Sequence, residues 1–200
     1  MESIDEFKSS NTKYNNDETY MQRAIKAAVS SIKRGDVPFG AVVVQGDKII
    51  AVSGNGELSR QDVTQHAEVR AISKASQRLG RRDLSDCTIY STVEPCPMCS
   101  GAIFYACAAK VVYAMSRDDL PHLFRSRKIR FQNLADDLSY TPEIISGVCR
   151  QEAMDSFSGY KEAFRVSPEE RLRRASLLRR TTSKARLIKW RVQQMVAIQR

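Results

Sequence analysis

Apolar positions recur along the chain in two rhythms, one of about 3.6 residues and one of two, and together they outline the fold. Met21, Ala24, Ile25, Ala28, Val29 and Ile32 repeat at helical spacing. A first helix is therefore expected over 17–33, capped by Asn16 or Asp17 and stopped by Gly35. Residues 39–44 and 48–52 are short β-branched runs joined by Gln45-Gly46-Asp47, which predicts a hairpin. Residues 54–63 carry no rhythm and read as a loop. Thr64 then offers a cap to a helix carrying His66, Val69, Ala71, Ile72, Ala75 and Leu79, with Gly80 as its stop. Cys87–Val93 reads as a strand broken by Glu94-Pro95. A third helix opens around Pro97, where proline is favoured because the first-turn amide needs no partner. Lys110–Met115 is a further strand. Beyond Arg117 the rhythm weakens: 117–137 is charged and irregular, Glu143–Ser146 a short strand, and 148–164 a helix with Val148, Ala153, Phe157 and Tyr160 inward. This order implies an α/β fold, a three-layer α/β/α sandwich.

Charge divides the chain more sharply than hydropathy does. The net charge of +9 comes wholly from residues 161–200, which hold 12 Lys/Arg against three acids; the first 160 residues are neutral. Ser167-Pro168-Glu169-Glu170 is a capping box opening a basic helical stretch. Three parts are expected: a polar, disordered leader over 1–15, a domain over 16–164, and a basic helical C-terminal extension over 165–200. The extension reads as an amphipathic helical pair, an RNA contact or an oligomer clasp. Its single Trp, without interleaved aromatics, speaks against stacking on single strands. No apolar run reaches the ~18 residues a membrane span needs, and the leader lacks the apolar core of a secretory signal. With five cysteines and no export signal, a cytoplasmic protein is expected.

Two short motifs carry chemistry. His66-Ala67-Glu68 lies near the start of one predicted helix, and Pro95-Cys96-Pro97-Met98-Cys99 starts another. His and Cys thiolate are ordinary zinc ligands, and a catalytic zinc keeps three protein ligands and one open position. His66, Cys96 and Cys99 supply three, and water would fill the fourth. A structural site closes with four protein ligands, and no second Cys-x-x-Cys exists; a redox pair would leave His66 and Glu68 unexplained. Glu68 would take a proton from the activated water and later deliver it to the substrate. Cys87, Cys107 and Cys149 lie on apolar segments and read as small core residues. His122, Asp118 and Asp119 sit in a charged loop and read as solvated.

The H-x-E and P-C-x-x-C pair, with Val37-Pro38-Phe39-Gly40-Ala41-Val42-Val43-Val44 and Ser100-Gly101-Ala102-Ile103, resembles the cytidine deaminase-like zinc deaminase superfamily over about residues 18–157. The chain is most similar to its guanine deaminase and tRNA adenosine deaminase branch. The resemblance implies an α/β/α fold, one Zn2+ per subunit and a homodimer whose partner helps wall the site. It also implies that Asn55 hydrogen-bonds the base and that backbone around Ala67 and residues 91–94 lines the pocket. Glu94 is left with two readings, a substrate contact or a hydrogen bond within the metal loop. The segment after the last core strand, Arg117-Asp118-Asp119-Leu120-Pro121-His122-Leu123-Phe124-Arg125, has neither the Phe-Asp-Asp stretch of the branch's guanine deaminases nor the glycine-rich segment of its tRNA enzymes. The function implied is hydrolytic deamination of a small-molecule nucleobase or nucleoside, with a purine such as guanine favoured. The alternatives are tRNA adenosine-to-inosine editing, a cytosine or cytidine substrate, and a non-catalytic binding module.

Overall fold

A computed structural model of the chain describes residues 4–120, 129–136, 140–157 and 160, with side chains from Asn16 onward. The chain divides after Tyr160 into units Met1–Tyr160 and Lys161–Arg200. The second unit lies outside the described residues, as do His122 and the basic extension expected over 165–200.

Helix α1 (Ile4–Ile32) leads into the hairpin β1 (Gly40–Gln45) and β2 (Lys48–Gly54). A one-turn helix α2 (Glu57–Arg60) and helix α3 (Ala67–Leu79) precede β3 (Cys87–Val93). Then come α4 (Pro97–Tyr105), β4 (Lys110–Met115), a 3-10 turn (Arg117–Asp119), α5 (Phe131–Asp136), β5 (Glu143–Ser146) and α6 (Arg150–Ser156). The strands form one sheet in the order β2-β1-β3-β4-β5. β1 pairs antiparallel with β2 and β3, while β3-β4 and β4-β5 are parallel. The mixed direction follows from the connections: two residues close the hairpin, whereas α4 and α5 carry the chain across to parallel neighbours.

Strict alternation on β1 builds both cores. Ala41 and Val43 face one side and pack with Ile89, Val111, Ala71, Ala75, Ile103 and Phe131, from β3, β4, α3, α4 and α5. Val42 and Val44 face the other side, with Tyr90, Val112, Met21, Ala24, Ala153 and Phe157, from β3, β4, α1 and α6. The helices thus cover both faces of the sheet, as the order of elements implies. Tight packing explains Gly40, where an added Cβ would lie 1.9 Å from the Ala24 carbonyl oxygen of α1. No other residue fits beneath that helix.

The first helix differs from expectation. It begins at Ile4, so residues 4–15, read as a disordered leader, continue it backward. Asp17 does not cap it. One Asp17 oxygen accepts the Tyr90 hydroxyl at 2.6 Å and the other accepts Lys110 Nζ at 2.9 Å, both buried. Its carboxylate ties α1 to the sheet, and neither glycine nor proline interrupts residues 4–32. Two elements arise where no rhythm announces them, α2 within 54–63 and α5 within 117–137. The final helix starts at Arg150 rather than Val148, because Cys149 adopts a left-handed conformation (φ 53°) just before it, and its expected end at 164 lies outside the described residues. Cys107 is exposed in the turn after α4 and is not a core residue.

One edge strand of the sheet, β2, is lined by cations of α3. Arg70 donates to the Gly54 carbonyl at 2.5 Å, Lys74 to Val52 at 3.2 Å, and Arg78 to Ile50. Four residues along a helix advance ~6 Å and two along a strand ~6.7 Å, so every fourth residue of α3 meets every second carbonyl of β2.

Candidate active site

His66 is the cap residue of α3 and Cys96 that of α4, so two helix starts converge beyond the C-terminal end of β3. Crevices at the carboxyl ends of strands are where open α/β sheets hold ligands. His66 Nδ1 lies 3.5 Å from each of the Cys96 and Cys99 sulfurs, and the sulfurs lie 3.6 Å apart. A tetrahedral zinc with Zn–S near 2.3 Å and Zn–N near 2.05 Å requires N···S and S···S separations of about 3.6 and 3.8 Å. The donor set therefore fits a zinc ion without rearrangement. Among the described residues this is the one cluster of three such donors.

The electrostatics of the ion-free cluster fit a cation as well. The hydrogen bond with Cys99, then His66, draws the Cys96 thiol down to about 4 despite burial. Cys99 is pushed up by that same bond and by burial. Burial opposes protonation of His66, but Cys96, Glu57 and Glu68 outweigh it and raise the imidazole to about 10.

The other ring nitrogen is also engaged. His66 Nε2 lies 3.6 Å from Glu57 Oε2 on α2, which orients the ring with Nδ1 toward the sulfurs. The Glu57 amide in turn donates to Asn55 Oδ1 at 3.0 Å. Sequence reasoning missed Glu57, because a carboxylate in an unpatterned loop looks like any solvated charge. Only its nearness to the His66 motif could have flagged it.

Glu68 is buried on the first turn of α3, with its Oε2 3.5 Å from the Cys99 sulfur. Ser91 Oγ, on β3, donates to Oε1 at 3.0 Å. Burial chiefly, then the Cys96 charge, holds the Glu68 carboxyl above its usual range. A bound cation would act on it in the opposite direction.

The remaining expected residues separate. Asn55 is fully buried; its Oδ1 accepts from Glu57, and its Nδ2 has no partner. Ala67 is fully buried, with its side chain in the core. Glu94 is engaged within the protein. Its two oxygens accept from the Arg117 amide (3.2 Å), Arg117 Nη2 (3.2 Å), Arg130 Nη1 (3.1 Å) and the Phe131 amide (3.1 Å). Four bonds use the four lone-pair directions of a carboxylate. Of the two readings of Glu94, these bonds fill the one within the protein: it clamps the segment after β4 beside the metal loop. Asp119 is not simply solvated: it accepts from the Ser116 amide at 2.8 Å and from Arg150 Nε at 3.2 Å. Asp118 pairs with Arg130.

A sheet carrying a His-Cys-Cys donor set at two helix starts, with a buried glutamate beside it, defines the class of hydrolytic zinc deaminases. Residues 14–115 match the cytidine and deoxycytidylate deaminase zinc-binding region, and the chain belongs to that family. It is similar to the guanine deaminase of Bacillus subtilis (strain 168), at 45% identity over 105 residues, covering 52% of this chain and 67% of that one. It is also similar to a probable cytosine deaminase of Schizosaccharomyces pombe (strain 972 / ATCC 24843), at 31% over 150 residues, covering 72% and 91%. A solved structure from work on A-to-I editing by tRNA:A34 deaminases at the wobble position of transfer RNA superposes with a TM-score of 0.61. It is 32% identical and covers 69% of this chain and 98% of its own.

Proposed function

We propose that the protein hydrolytically deaminates a free nucleobase or nucleoside, a purine such as guanine being favoured. The observation that carries this reading is the unpaired, fully buried Asn55 amide joined through Glu57 to the imidazole of the donor set. A buried donor without a partner is costly, and a ring carbonyl or ring nitrogen would satisfy it. His66, Cys96 and Cys99 would hold zinc. When bound, zinc acidifies water at its open coordination position and so supplies a nucleophile at neutral pH. Glu68 carries one proton of the water to the ring nitrogen and then the second to the departing amine. The net change is the C–NH2 bond and water becoming C=O and ammonia. Ser91 orients Glu68 through its hydroxyl hydrogen bond at 3.0 Å.

A homodimer is supported by α4, where Met98 and the 91% exposed Tyr105 lie on one side at helical spacing. Five free cysteines support a reducing, cytoplasmic setting. Among the described residues no helix is long and apolar enough to cross a membrane. The division into a catalytic domain over 16–164 and a basic extension over 165–200 rests on charge. That extension favours a second reading, adenosine-to-inosine editing of tRNA, because such a substrate needs basic surface near the pocket.

The experiment is ammonia release from zinc-loaded protein across guanine, guanosine, adenine, adenosine, cytosine, cytidine and a tRNA transcript. Turnover of a free purine supports the first reading. Silence on every monomer with inosine appearing in the tRNA overturns it in favour of the second.

A further inference from the structure

Away from the metal cluster, a cavity of about 500 Å³ opens between α1, α2, α3 and the edge strand β2. Arg23 and Lys26 reach it from α1, Arg34 from the turn after α1, Arg60 from α2, and Arg70 and Lys74 from α3. No carboxylate lines it. Among the described residues, Arg34 alone of these six has an ion-pair partner, Asp36 at 3.5 Å. Six cations converging from four segments around one hollow differ from a solvated stripe, whose charges diverge into water. Ser53 adds an independent observation. It lines the same cavity, is 3% exposed, and its hydroxyl has no hydrogen-bond partner. A buried hydroxyl at the foot of a cationic hollow lacks the acceptor that an anion would provide.

We infer that this hollow is an anion site that binds phosphate groups, best suited to a compact polyphosphate such as the phosphate chain of a nucleotide. The volume lies within the range of small-ligand sites, and approach from several sides suits a short, multiply charged group. The bland alternative is that the cations only cap the sheet edge. Lys74 and Arg70 do bond β2 carbonyls, at Val52 and Gly54, and Arg34 bonds Asn55. That role leaves Arg23, Lys26, Arg60 and the Ser53 hydroxyl unexplained. The mutual repulsion also shows in Arg70 and Lys74, whose charged forms are disfavoured by burial first and then by neighbouring cations.

The test uses the full-length chain with sodium tripolyphosphate, inorganic phosphate and a 12-nucleotide single-stranded RNA, titrated at 150 mM salt by calorimetry. Tripolyphosphate should bind, with inorganic phosphate weaker. R23A/K26A should weaken binding at least about tenfold, and S53A by a few-fold, each without changing zinc content. Tighter binding of RNA than of tripolyphosphate, lost in R23A/K26A, keeps the phosphate site and makes a nucleic-acid backbone its source. Absence of binding, or binding unchanged in both variants, overturns the inference. None of these readouts depends on turnover, so failure here is distinct from failure of the deaminase reading.

Discussion

Replacing Glu57 by glutamine should loosen zinc without touching a zinc ligand. The amide keeps the size and an oxygen acceptor but removes the charge facing His66 Nε2 at 3.6 Å. Between full unit charges at that distance the attraction is about 1.2 kcal/mol in water and about 4.6 kcal/mol at an effective dielectric of 20. The two side chains are 26% and 33% exposed, and a metal-bound imidazole carries only part of a charge, so the lower half of that range applies. The expected loss is roughly 1.4–2.7 kcal/mol, which is a 10- to 100-fold fall in zinc affinity. Competition against a chromogenic zinc chelator measures it directly. Thermal denaturation with and without added zinc gives a second reading, since a ligand bound only by the folded state raises Tm with concentration. E57A should fall at least as far as E57Q. Wild-type zinc affinity in both variants would refute the idea that α2 positions the imidazole.

Other outcomes follow from the same geometry. E68Q should keep its zinc content, measured by atomic absorption, while ammonia release falls by about 10²–10⁴, the contribution typical of a positioned acid/base group. R117A should cost about 3–5 kcal/mol in chemical denaturation, because it removes the buried guanidinium that pairs with the buried Glu94 carboxylate, one of its four donors. Asp119 is held below the usual carboxylate range, chiefly by its hydrogen bond from Arg150. Its stabilising contribution is therefore present above the unfolded value of about 3.9 and is lost as pH falls through the lower folded value. R150Q should flatten that part of the acid limb, read by fluorescence from pH 5 downward.

Much of this protein is legible in its sequence, because the informative residues act locally. Period-two alternation in β1 needs no knowledge of its neighbours to predict two covered faces. His66, Cys96 and Cys99 declare themselves because zinc ligands are few in kind and spaced by helix geometry. What stayed hidden depends on contacts distant in the chain. Asp17 looks like a helix cap until Tyr90 and Lys110 claim it from 73 and 93 residues away. Glu94 has two readings until Arg117, Arg130 and Phe131 fill its lone pairs. Glu57 carries no periodic signal, and the cationic hollow is assembled from a turn and helix faces that meet only in the fold.

The row of α3 cations along β2 has a consequence for assembly. A bare edge strand is a template on which another chain can add a strand, and aggregation or swapping often starts there. Here the carbonyls of Ile50, Val52 and Gly54 are already occupied by long charged side chains. An incoming strand would have to displace three donors and meet a wall of positive charge, so α3 closes the β2 edge to strand addition.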